Sequence, residues 1–414
     1  MQERPLPGVW VLDDLEPLAK RYLPACIFAW AAGGSERQIA SRMNQEAYED
    51  WAFNTRTLID ITNTSLETEL FGKTYAAPFG ISPMGGAAAV GLKADLKMAL
   101  AATAENVPFM ISGAAGVTYE DAVAQAPNTW PQLYLPTVPE AMDGMVDRVI
   151  ASGAEVMTVT VDIPVMASAV HSQRLGWSLP IKLTSQLVMD AVTHPWWTAG
   201  VALPSFLPSG PRIENMHPTV RPKMFSFKKL PPAAGSAITW KDFERARKRW
   251  PGKLVIKGII NPADARRAID LGADAVMVSN HGGRQVDYAL ASLRALPGVV
   301  AEARGVPVLI DSGFRHGTHV LMALALGARF VFAGRPFLFA AALGGEAGVR
   351  QAIGILKQEL HRNLALIGVP TVTQVTRDSL TPARPSLPPA PISPPARRAA
   401  PSATGARGKS RASA

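Results

Sequence analysis

Cysteine is nearly absent from this chain of 414 residues: Cys26 is the only one. An intramolecular disulfide and any cysteine-rich metal site are therefore excluded, which fits a reducing compartment. No metal is expected at the site. Acidic residues are missing from one region. Residues 381–414 contain Arg384, Arg397, Arg398, Arg407, Lys409 and Arg411 and no acid, so +6 of the formal +9 lies there and only +3 elsewhere. That stretch is rich in Pro, Ala and Ser and poor in large apolar groups. It reads as a disordered basic tail, a solvated extension rather than a nucleic-acid arm.

Long apolar runs are missing too. The best candidate, Leu187 to Leu207, is interrupted by Asp190, His194, Pro195 and Pro204 and does not read as a membrane span. Its Trp196-Trp197 pair leaves two readings: a lid packed on the protein, or a peripheral contact with a membrane surface. The start, Met1 to Glu16, carries Glu3, Asp13, Asp14 and Glu16 and has no apolar segment of a secretory signal. A cytoplasmic protein, with membrane association left open, is the expectation.

What is present is a large apolar fraction, 48%, enough for a core without staples. Leu12 to Ala32 has helical spacing, and a second helix is expected near Glu36–Phe53. After that, short apolar runs alternate with helix-like stretches. The strand candidates are Pro78–Ser82, Val107–Ser112, Trp130–Leu135, Val156–Asp162, Leu254–Lys257, Ala275–Ser279, Val306–Asp311 and Phe330–Ala333. Gly153, Gly272, Gly305 and Gly327 fall between a helix and the next strand, where a left-handed residue is wanted. Eight such units predict an α/β fold, a (β/α)8 TIM barrel over residues 1–380, with an N-terminal helical segment. An open doubly wound sheet would need a Gly-rich turn after its first strand, and Pro83-Met84-Gly85-Gly86 is a poor match. A Pro-rich excursion after strand four, residues 175–237, is too long for an ordinary loop and reads as a lid.

Barrel chemistry sits at the C-terminal strand ends. In this chain those ends carry Met84-Gly85, Ser112, Gln132 with Tyr134, Thr160 with Asp162, Lys257, Ser279 with His281 and Arg284, Asp311 with Gly313 and Arg315, and Gly334-Arg335. The last two ends offer backbone N–H groups and two arginines, the usual phosphate site of such barrels. Asp311 suits the hydroxyls of a ribityl or ribosyl chain. Gln132, Thr160 and Ser112 can hydrogen-bond a flat heterocycle, and Lys257 puts a cation beside it, as a flavin requires.

With Ser279-Asn280-His281-Gly282-Gly283-Arg284-Gln285, Gln132-Leu133-Tyr134, Thr158 to Asp162, Ile256-Lys257-Gly258, Asp311-Ser312-Gly313 and Gly334-Arg335-Pro336, the chain resembles one family over roughly residues 12–380. This is the FMN-dependent 2-hydroxy acid oxidase/dehydrogenase family, which includes glycolate oxidase, lactate oxidase, mandelate dehydrogenase and the flavin domain of flavocytochrome b2. The resemblance implies FMN as cofactor, with Met84, Gly85, Ser112, Gln132, Thr160, Lys257 and Ser279 at its ring or ribityl chain. Asp311, Gly313, Arg315, Gly334 and Arg335 would hold its ribityl and phosphate. It further implies His281 as the base positioned by Asp162, Arg284 on the substrate carboxylate, and Tyr134 on substrate. The expected reaction is oxidation of an L-2-hydroxy acid to the 2-oxo acid, hydride and carbanion descriptions both open. A homotetramer is implied. The electron acceptor is left open between oxygen, a quinone and a carrier protein.

Three positions depart from the family pattern. Trp30 stands where a tyrosine usually reaches the carboxylate. Ala169 stands where a second substrate arginine is usual, with His171 or Arg174 as possible stand-ins. Ala114 stands where glycolate oxidase has a bulky tryptophan. Together they imply a lactate- or mandelate-like substrate larger than glycolate. They leave open a non-standard substrate, or a flavin-binding protein with little turnover.

Overall fold

The computed structural model describes residues 3–177, 185–224 and 237–383. Eight short parallel strands close a barrel: β1 Phe79–Ile81, β2 Phe109–Ile111, β3 Thr129–Leu133, β4 Val156–Thr160, β5 Lys253–Ile259, β6 Ala275–Val278, β7 Val308–Asp311 and β8 Phe330–Ala333. Closure is made where β8 pairs with β1, Val331 opposite Phe79. Each strand is a nearly unbroken apolar run because barrel strands are covered on both faces. Helices follow the strands as expected, and Gly153, Gly272, Gly305 and Gly327 have φ of +76°, +92°, +89° and +101°.

The helical stretch over Leu12–Ala32 is two helices, Leu15–Tyr22 and Ala25–Ala32, after a 3-10 turn at Leu12–Asp14. Pro24 forces Leu23 into extended backbone, φ −91° and ψ 142°, which breaks the run. The second expected helix is likewise shorter. It spans Ile39–Glu46, and Trp51–Phe53 pairs antiparallel with Leu380–Pro382 instead. The long helix Arg335–Ile367, kinked at Gly345, also lay outside the sequence expectation. A side chain at Gly344 or Gly345 would collide with Arg4 or Glu3, so the N-terminal segment crosses at the kink.

The excursion after β4 is partly visible. Residues 178–184 and 225–236 lie outside the described residues, as does the basic tail from Arg384 onward. Its outward limb holds the helix Ser185–Thr193 and a helical stretch from Pro195 to Phe206. Trp197 is buried and donates from Nε1 to the Ala89 carbonyl at 2.9 Å, while Val188, Met189, Val192, Trp196, Leu203 and Leu207 are exposed. The return limb is pinned by Asn215. Its Oδ1 accepts from the Tyr119 N–H at 3.1 Å and from Arg148 at 3.2 Å, and its Nδ2 donates to the Val117 carbonyl at 2.8 Å. Among the described residues no helix is long and apolar enough to cross a membrane.

Candidate active site

The strand periodicity that builds the barrel also builds the site. Alternate residues point inward, so a run that begins inside with an apolar group can end inside with a polar one. Lys257, Ser279 and Asp311, at the ends of β5, β6 and β7, meet there. Lys257 Nζ lies 3.1 Å from Asp311 Oδ2 and donates to Ser279 Oγ at 2.9 Å. Ser82 Oγ donates to Asp311 at 3.2 Å and Ser312 Oγ at 3.0 Å. The sequence reading gave Lys257 and Asp311 separate duties; they form one buried ion pair.

His281 follows β6 through Ser279, whose Oγ accepts the His281 backbone N–H at 3.0 Å. His281, Gly282 and Gly283 all have positive φ, at +57°, +66° and +73°. For a histidine this conformation costs about 1–2 kcal/mol, and such strain is retained where a side chain must be aimed. Gly283 has no alternative, since a Cβ there would lie 2.3 Å from the Ser41 nitrogen. The imidazole Nδ1 sits 3.0 Å from Asp162 Oδ1, which leaves Nε2 as the nitrogen for a further partner. Burial acts to raise the Asp162 pKa, but the His281 charge and hydrogen bond, with Lys257 beyond, hold it below the usual carboxylate range. Gly258 makes room for this carboxylate. It lies at a register shift in β5, φ +107°, and a Cβ would fall 2.7 Å from Asp162 Cβ.

Arg284 donates through one nitrogen to the carbonyls of Trp30 and Gly33, at 2.8 and 2.9 Å, with its guanidinium 5.7 Å from the Trp30 ring. Burial lowers its pKa. The Tyr134 pKa is raised, chiefly by burial and then by the Asp162 charge. Trp30 stacks on Trp177, ring centroids 5.0 Å apart, and its far edge lies against Gly86. Sequence reasoning missed Trp177, because residues far apart in the chain give no local signal of stacking. Of the two stand-ins for an arginine at Ala169, His171 contacts Gln38 and Arg174 is exposed.

The flavin expectation can be tested against buried polar atoms that lack a partner. Gln132 Nε2, Thr160 Oγ1 and Arg335 Nε are such atoms among the described residues. Burying them unpaired costs about 1–3 kcal/mol each, a cost that a ligand with matching groups removes. Gln132 is aimed by Tyr119, whose hydroxyl donates to its carbonyl at 2.5 Å, and its Oε1 accepts from the Gly113 N–H at 3.2 Å. Ser112 Oγ accepts from the Ala114 N–H at 3.1 Å, and Gly85 and Met84 close in beside Ala114 and Gly334. Arg335 donates to the carbonyls of Gly33 and Gly282. Its pKa is pushed down to about 9 by burial, then by repulsion from Arg284 and Arg315, which an anion at that spot would relieve. Arg315 is buried behind Gly313, 3.7 Å from Asp13 and 3.9 Å from Glu16. Gly313 has φ +85° and packs on the Asn44 backbone. A heterocycle bearing an anionic tail therefore fits the residues present.

Comparison with known proteins agrees with this geometry. A family model described as FMN-dependent dehydrogenase matches residues 19–382. The (S)-mandelate dehydrogenase of Pseudomonas putida is 33% identical over 376 residues, covering 89% of this chain and 93% of the relative. The L-lactate dehydrogenase of Azorhizobium caulinodans is 36% identical over 378 residues, covering 89% and 97%. Among solved structures, the monotopic membrane protein (S)-mandelate dehydrogenase superposes with a TM-score of 0.83 at 32% identity, over 91% of this chain and all of that one.

Proposed function

From the chain's membership of the FMN-dependent 2-hydroxy acid dehydrogenase family, we propose that it oxidises a larger, lactate- or mandelate-like L-2-hydroxy acyl compound to the 2-oxo product, with His281 as the base. The observation that carries this reading is the His281–Asp162 pair, 3.0 Å apart, with Arg284 three residues on and held by the Trp30 and Gly33 carbonyls. Asp162 fixes the proton of the neutral ring on Nδ1, so that Nε2 accepts the substrate's proton, and it stabilises the imidazolium that forms. Arg284 holds the acyl oxygen and Tyr134 orients the hydroxyl. Ala114 leaves space for a side chain larger than hydrogen. FMN, when bound, supplies the two-electron acceptor. Gln132, Thr160, Ser112, Met84 and Gly85 hold its ring, Lys257 and Ser279 its charged edge, and Asp311, Gly313, Arg315, Gly334 and Arg335 its ribityl phosphate.

The exposed Val188, Met189, Val192, Trp196, Leu203 and Leu207 support a peripheral membrane contact by the excursion. Vesicle flotation tests it: protein that stays with the aqueous phase rules the contact out. The reaction is tested by an anaerobic visible spectrum before and after adding L- and D-2-hydroxy acids and their derivatives. Bleaching of the flavin by L-compounds is expected. A flavin that bleaches with none sinks the proposal in favour of a flavin-binding protein with little turnover. Readmitting oxygen, a quinone or a carrier protein then identifies the acceptor.

A further inference from the structure

We infer that the acyl end of the substrate is neutral, an ester or amide of a 2-hydroxy acid rather than the free carboxylate. This rests on the dehydrogenase reading above and deepens it. The argument is a charge balance in a buried chamber. Lys257 and Asp311 cancel, being 3.1 Å apart. His281 must be neutral to accept a proton, so Asp162 stands as a full negative charge, and Arg284, three residues after His281 and held on the Trp30 and Gly33 carbonyls, stands as the full positive charge of the chamber. The chamber is neutral before substrate enters. A free carboxylate would leave it one charge negative.

Among the described residues, none supplies a second cation to the substrate. Ala169 offers a methyl group. His171 is engaged with Gln38, whose Oε1 accepts the Gly34 N–H at 3.0 Å, and Arg174 is exposed. Arg335 faces the carbonyls of Gly33 and Gly282, on the side assigned to the cofactor phosphate. Arg284 already gives one nitrogen to the carbonyls of Trp30 and Gly33, so only part of its fork is left for substrate. That suits one carbonyl oxygen better than a carboxylate seeking two donors. The adjoining wall is the Trp30–Trp177 stack, which solvates an ester or amide and not an anion.

The chemistry follows the same course. The C2–H and hydroxyl O–H bonds break and the C2=O bond forms; one hydrogen leaves as a proton to His281, and the other leaves with the electron pair to the two-electron acceptor that FMN would supply. The acyl substituent is untouched. A neutral carbonyl also withdraws charge from C2 better than a carboxylate does, which lowers the demand on the site.

The test uses the flavin-loaded protein, with (S)-mandelate, (S)-mandelamide and methyl (S)-mandelate, and the same three forms of (S)-lactate. The rate constant of anaerobic bleaching divided by the dissociation constant is expected to favour a neutral form by ~10-fold or more. Binding without turnover is read separately, by titrating the oxidised flavin spectrum with benzoylformate and with methyl benzoylformate; the ester is expected to bind tighter. Ala169→Arg, which restores a cation, is expected to shift both preferences toward the acid. Equal or better use of the free acid by the unaltered protein overturns the inference and leaves the dehydrogenase reading standing. Bleaching by neither form overturns both.

Discussion

The two ends of the barrel are made by the same eight strands and are chemically opposite. At the N-terminal end the inward residues are Trp130, Val156, Val255, Ala275, Leu309 and Phe330, and one step further in come Met110, Met277 and Phe332. Two or four residues later on the same strands stand Ser112, Gln132, Thr160, Lys257, Ser279 and Asp311, all buried and all polar. The lower end is filled by aromatic contacts, Trp130 with Phe332 at 5.6 Å and Tyr75 with Phe330 at 5.6 Å, although Thr129 Oγ1 at the start of β3 is buried without a partner. The upper end keeps Gln132 Nε2, Thr160 Oγ1 and Arg335 Nε unpaired. One end holds the barrel together; the other holds unsatisfied groups ready for a ligand. Changes at the two ends should therefore show in different measurements.

The largest expected effect lies at the upper end. His281→Gln removes the base but keeps a polar group of similar reach. Its rate of flavin bleaching should fall by ~10⁴-fold, about 5.5 kcal/mol of barrier, with flavin content and melting temperature little changed. Retention of more than a tenth of the rate would remove His281 from the reaction. The next effect lies at the lower end. Phe332→Ala empties the centre of the aromatic plug, where Phe332 is fully buried and Gly80 is small enough to receive its ring. Stability should drop by about 3–5 kcal/mol in urea unfolding. The protein that remains folded should bind flavin normally. A loss of flavin affinity in folded protein would show that the two ends are not independent.

This division explains what could be read in the sequence. Strands covered on both faces are apolar runs, so all eight barrel strands were legible, and residues such as Gln132, Lys257 and Asp311 stood out as polar groups closing them. The His281–Asp162 pair was expected through family resemblance, and the two side chains lie 3.0 Å apart. What was not legible depends on contacts between distant segments. The strand Trp51–Phe53 forms because Leu380–Pro382 returns to it, and it reads locally as the end of a helix. The kinked helix Arg335–Ile367 carries Gly344-Gly345 for an N-terminal crossing that no local pattern announces. The Trp30–Trp177 stack and the Asn215 anchor join segments across the excursion for the same reason.

Asp95 offers the smallest effect and the finest test of whether unpaired buried groups belong only with the ligand. It lies in the first turn of the helix Ala94–Ala104, and its Oδ2 accepts the Gly116 N–H at 3.0 Å. Its Oδ1 is buried and unpaired, and burial raises its pKa to about 7. None of the groups assigned to flavin or substrate touches it. Because its folded pKa lies above the unfolded value of 3.8, its contribution to stability is complete below about pH 3.8 and is lost as pH rises through about 7. Asp95→Asn keeps the acceptor for Gly116 and never ionises. At pH 8 the variant should be more stable by about 2 kcal/mol, on the order of 4 °C in melting temperature, and the gap should close toward pH 5. Flavin content and bleaching rate should stay the same. A gap independent of pH would mean that Asp95 has the same pKa folded and unfolded. A loss of flavin in the variant would extend the ligand-ready end of the barrel out to this helix.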